Sequence, residues 1–61
     1  MANLIRREIV NQPVLPSGSY FYKKKNGKDL WKNRYTTSWY MVYPIDGGKF
    51  AVEEYTGQCS C

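Results

Sequence analysis

Sixty-one residues hold one domain at most, and a chain of this size buries only about 60% of the surface that its unfolded form exposes. The sequence has no histidine, which excludes Ser-His and Cys-His nucleophile pairs, and its formal charge of +4 points toward anionic partners. Its longest apolar run, Trp39–Tyr43, is far short of the roughly 20 residues of a membrane helix.

Residues 1–19 read as an N-terminal arm. Leu4, Ile5 and Ile9 fall near one helical face and Asn3 is a capping residue type, while Ile9-Val10 favours extended structure. The expectation is a short helix or an arm laid across one face of a sheet. Pro13 ends it, and Val14 and Leu15 in the connection that follows are expected to plug the sheet edge. The start lacks the apolar run of a secretion signal, which fits a cytoplasmic protein.

Residues 20–55 hold every aromatic side chain and two glycine turns. Asn26-Gly27 is a strong signal for a type I′ hairpin, because both residues accept positive φ. A two-residue loop there sets Lys25 opposite Lys28, Lys24 opposite Asp29, Lys23 opposite Leu30 and Tyr22 opposite Trp31. Thr36-Thr37-Ser38 is a weaker turn. A three-residue loop there sets Tyr35 opposite Trp39, and one long strand through Tyr35–Tyr43 is the alternative. Around Asp46-Gly47-Gly48, the register with Pro44 opposite Lys49 pairs Tyr43 with Phe50 and Met41 with Val52. The fold class is therefore mainly β: a small antiparallel meander of three or four strands.

These registers place Tyr20, Tyr22, Trp31, Tyr35, Trp39, Met41, Tyr43, Phe50 and Val52 on one core face. A single sheet cannot bury such a face alone, so the N-terminal arm or a second copy of the chain, as a homodimer, must cover it. Residues 56–61 read as a frayed tail. Cys59 and Cys61 are too close for an unstrained disulfide, and two thiols without imidazole cannot complete a tetrahedral zinc site.

Leu15-Pro16-Ser17-Gly18, Asn26-Gly27, Trp31, Asn33, Thr36-Thr37, Trp39 and Pro44 resemble fragments of the WW family, a three-stranded meander that binds proline-rich peptides. The likeness covers Leu15–Pro44. Ser19 stands where that family has its first Trp, the Trp39–Pro44 interval is longer, and the fourth strand is extra. The chain is not assigned to the family on these residues.

The charge is unevenly placed. Lys23, Lys24, Lys25, Lys28, Lys32 and Arg34 face only Asp29 within the first hairpin, whereas Asp46, Glu53 and Glu54 outnumber Lys49 in the last. The acids do not form a catalytic pair, since Glu53 and Glu54 are adjacent in a strand and point to opposite faces. No phosphate-cradling loop occurs, so neither an enzyme nor a cofactor is expected. The sheet face opposite the core carries Phe21, Lys23, Lys25, Lys32, Arg34 and Tyr40, a set in which cations meet phosphates and rings stack on bases. Nucleic acid is the expected partner, ahead of an acidic protein surface. The alternative is an accessory protein of phage or plasmid type that binds and modulates a host protein. Lysines on a hairpin also serve simply as solvated guards against edge pairing.

Overall fold

The computed structural model describes residues 3–57 and folds them into five strands: β1 (Asn3–Val10), β2 (Ser19–Lys25), β3 (Lys28–Asn33), β4 (Trp39–Ile45) and β5 (Lys49–Thr56). They form one antiparallel sheet in the order β1-β5-β4-β3-β2, and no helix occurs among the described residues. The expected N-terminal helix or arm is thus corrected to a fifth strand. Its β-branched residues suit the pleat, and Arg6 and Arg7 pair across it with Glu54 and Glu53 on β5. It lies at the far edge from β2 rather than across a face.

Asn26 (φ 53°) and Gly27 (φ 77°) both adopt the left-handed region that the type I′ turn requires. The pairs Lys25–Lys28, Lys24–Asp29 and Lys23–Leu30 follow from it as expected. Tyr22 then bulges out of register, so Phe21, not Tyr22, faces Trp31, and Tyr20 faces Lys32.

The β3–β4 connection departs further. Lys32 pairs with Trp39 and Trp31 with Tyr40, which leaves residues 34–38 between the strands in place of a three-residue turn. Asn33 is the cause. Its side-chain amide donates to the Ser17 carbonyl (3.0 Å) and to Ser19 Oγ (3.3 Å), and its Oδ1 accepts from the Tyr35 N–H (2.8 Å). Its own backbone N–H donates to the Ser38 carbonyl at 3.3 Å, and the Arg34 N–H donates to the Gly18 carbonyl at 2.9 Å. A buried side chain satisfied from residues 17–19 and 35 holds the wider loop open. At the β4–β5 turn Ile45 pairs with Lys49 and Val42 with Val52, one residue away from the expected register.

Residues paired across an antiparallel ladder share a face, so these registers sort the molecule into two sides. One side, the lysine face, carries Arg7, Lys23, Lys25, Lys28, Leu30, Lys32, Trp39, Met41, Tyr43, Ala51, Glu53 and Tyr55. The other, the groove face, carries Phe21, Lys24, Asp29, Trp31, Asn33, Tyr40, Val42, Phe50, Val52 and Glu54. The expected single core face is therefore split. Trp39, Met41 and Tyr43 lie on the side opposite Trp31, Phe50 and Val52.

Both sides contribute to the core. Leu30 and Ala51 are fully buried on the lysine face, with Trp39 stacked on Tyr55 at 4.4 Å and 11°. Tyr40 and Val42 are buried on the groove face, where Phe21 meets Trp31 edge-on at 5.8 Å. Residues 13–18 run along the groove face, with Leu15 toward the sheet. Val14, expected to plug the edge, is instead exposed.

Candidate functional site

Alternation along β2 and β3 brings Lys23, Lys25, Lys28 and Lys32 onto one side of the first hairpin. The Tyr22 bulge adds an aromatic ring to that side: the Lys32 ammonium lies 4.0 Å from the Tyr22 ring centroid and that of Lys23 lies 5.8 Å from it. Arg34, just past β3, sits 5.8 Å from the Tyr20 ring, and Lys28 lies 4.4 Å over Tyr43. Cations and tyrosines thus alternate across the surface, with Lys23, Lys28, Lys32 and Arg34 each near a ring that attracts it. Tyr20 and Tyr22 remain 38% and 45% exposed, so part of each ring is open to a ligand.

The charge difference between the sides is large. Among the described strand residues, Arg7, Lys23, Lys25, Lys28, Lys32 and Lys49 share the lysine face with Glu53 as the one carboxylate. The groove face sets Arg6 and Lys24 against Glu8, Asp29 and Glu54. Its ion pairs are internal: Arg6 with Glu8 (3.0 Å) and Glu54 (3.2 Å), and Lys24 with Asp29 (3.8 Å).

Glu53 is held by hydroxyls and cations. Tyr43 OH donates to its Oε2 at 2.7 Å, Tyr55 OH donates to its Oε1 at 2.8 Å, and Arg7 Nε approaches Oε2 at 3.4 Å. Burial pushes its pKa up, but the hydroxyls of Tyr43 and Tyr55 with the charges of Lys28 and Arg7 outweigh burial and hold it below the ordinary value. Donation to Glu53, reinforced by burial, pushes Tyr55 up to about 12. The one acid among the described strand residues of this face is thereby engaged by Tyr43, Tyr55 and Arg7.

Of the six residues singled out by sequence, Lys23, Lys32 and Arg34 come together around Tyr20 and Tyr22, and Lys25 shares their face at the turn end of the hairpin. Phe21 and Tyr40 lie on the groove face instead. Tyr40 is only 4% exposed, with burial raising its pKa, and its ring is closed to a stacking base. Lys28, Tyr20 and Tyr22 are the members that sequence reasoning missed. Lys28 was within reach, since it is two residues from Leu30 in the same strand. The bulge that turns Tyr22 toward the lysines has no signature in the sequence.

The groove face carries a second feature. Pro13, Leu15, Pro16, Trp31, Pro44 and Phe50 are among the residues lining a cleft of about 460 Å³ between the 13–18 segment and the sheet, with Asp29 as its charged group. No group of histidine, cysteine, aspartate and glutamate able to hold a metal ion occurs among the described residues, nor is any helix there long and apolar enough to cross a membrane. No family model, curated protein or solved structure matches the chain.

Proposed function

We propose that the protein binds single-stranded nucleic acid through the lysine face of its first hairpin. The observation that carries this reading is the placing of Lys23, Lys32 and Arg34 around the partly exposed rings of Tyr20 and Tyr22, with Lys25 and Lys28 on the same face of the hairpin and Lys28 over Tyr43. The cations neutralise consecutive phosphates, and the tyrosines offer π-faces to unpaired bases. The contacts require no base-specific hydrogen bond, so the binding tolerates sequence. The reading involves no chemical step and no cofactor.

Titration with single- and double-stranded oligonucleotides at two salt concentrations tests it. With about five phosphates neutralised, log affinity for a single strand falls against log salt with a slope of about −3 to −4. Lys32→Ala flattens that slope, and Tyr22→Ala weakens single-strand binding by ~1–3 kcal/mol. Lys24→Ala is the internal control, because Lys24 belongs to the same hairpin but faces the other side, paired with Asp29. Equal losses from Lys24→Ala and Lys32→Ala would reduce the interaction to bulk charge. Absence of binding at low salt refutes the reading and leaves an acidic protein surface as the partner class, with a few anchor side chains carrying the affinity.

A further inference from the structure

The two edges of the sheet are guarded differently. β2 presents Lys23, Lys24 and Lys25 in succession, a charge run that repels another strand. β1 is eight residues long, and its Leu4, Ile5 and Ile9 are 53%, 54% and 45% exposed. Among the described residues it borders β5 on one side only, so half of its backbone groups have no described strand across from them.

The order of residues on β1 is close to palindromic: Leu4-Ile5-Arg6, then Arg7, then Glu8-Ile9-Val10. An antiparallel partner made by a two-fold axis normal to the sheet keeps each face continuous, so it pairs residues of like face across the regular part of the strand. Few registers satisfy this. Centring the axis on Arg6 sets Leu4 against Glu8, and centring it on Glu8 sets Glu8 against itself and Arg7 against Ile9. Centring it on Arg7 sets Arg6 against Glu8 twice in the regular part of the strand and brings Ile5, at the irregularity between Leu4 and Arg6, toward Ile9 twice. Its single like-charge contact is Arg7 with Arg7 at the axis, where each guanidinium already has its own Glu53 at 3.4 Å. From this charge and apolar complementarity we infer that β1 pairs with β1 of a second copy, in the register centred on Arg7, to form one continuous ten-stranded sheet.

The inference is independent of the nucleic-acid reading, although the axis would put both lysine faces on the same side of the dimer.

Sedimentation of the full chain across a wide concentration range tests it. The expected result is a reversible species of twice the chain mass, with slower exchange of β1 backbone amides as concentration rises. Arg6→Glu and Glu8→Arg each replace two attractive cross-strand contacts by two repulsive ones, and each should weaken the dimer by about tenfold. The double variant R6E/E8R restores complementarity, and with it the dimer. Arg6 also meets Glu54, so if Arg6→Glu unfolds the chain, Ile9→Lys at the exposed edge serves in its place, with circular dichroism confirming the fold. A monomer at every concentration overturns the inference. So does a dimer that survives both Glu8→Arg and Ile9→Lys.

Discussion

Leu30, on the lysine face, is fully buried, while its neighbour Trp31, on the groove face, keeps part of its surface in water. The lysine face is layered with its own long side chains: Lys32 lies over Tyr22, Lys28 over Tyr43, and Trp39 against Tyr55. The groove face relies on a separate stretch of backbone, residues 13–18, fastened by Asn33 and leaving a cleft beneath it. Amphipathic side chains cover apolar surface while keeping their charges in water. The face they cover can therefore be both a core and a charged binding surface. A face covered by a strap of backbone depends on the hydrogen bonds that tie the strap down.

The largest expected effect breaks the lysine side. Leu30→Ala removes the largest fully buried side chain and should cost about 2–5 kcal/mol in denaturant unfolding, which a small domain with modest stability barely survives. Retained stability would mean that the layered tyrosines and lysines collapse into the space.

A smaller effect is expected where the strap is tied. Gly18 has φ +90°, and a Cβ built there would run into the Tyr35 ring. Gly18→Ala should cost about 2 kcal/mol, through the disfavoured backbone and the displaced ring. It should also expose residues 11–18 to proteolysis and disturb Arg34, whose Cγ would lie 3.3 Å from the new Cβ, while leaving the Asn26-Gly27 turn and Lys23, Lys25 and Lys28 in place. Gly27→Val strains only the hairpin turn, where nothing lies near the new side chain, and should cost about 1 kcal/mol. If the two substitutions proved equal, the Tyr35 contact would contribute nothing.

Where the fold was legible in the sequence, the information was local. Asn26-Gly27 is enough to fix three residue pairs, and alternation from that turn places Lys23, Lys25 and Lys32 together. At the β3–β4 connection register was lost because a distant group intervenes. Asn33 widens the β3–β4 loop through bonds to Ser17 and Ser19, which no turn propensity anticipates. The β3–β4 register differs from expectation by an odd number of residues and so does the β4–β5 register, and each odd slip exchanges faces. The two cancel for β5, so Phe50 and Val52 still share a side with Trp31. They do not cancel for β4, which is why Tyr40 moved into the groove side and Trp39 out of it. The N-terminal strand was missed because its place is set by Arg–Glu partners on a strand more than forty residues away.

The smallest effect concerns pH and again separates the sides, since the Glu53 cluster belongs to the lysine face alone. Tyr55 is pushed up to about 12 from an ordinary value of 10.0, chiefly by donating to Glu53. A group whose folded pKa lies above its unfolded value favours the folded state while protonated. That contribution is complete below pH 10 and is lost as pH rises toward 12. Glu53 acts in the opposite sense. Its folded pKa is lowered, so its contribution is present above the ordinary carboxylate value and disappears as pH falls through the folded one. Stability should therefore decline at both extremes. The alkaline decline should amount to about 1 kcal/mol, less than a two-unit shift allows, because Tyr55 is partly exposed to solvent. Glu53→Gln keeps the size of the side chain and removes its charge, so it should return the Tyr55 titration toward 10 and flatten the decline at both ends. Tyrosinate absorbance, compared with a Tyr55→Phe variant to isolate that ring, follows the first change, and unfolding at fixed pH values follows the second. If the alkaline decline persisted undiminished in Glu53→Gln, its source would lie elsewhere, and Tyr40, whose pKa burial raises, would be the next ring to replace.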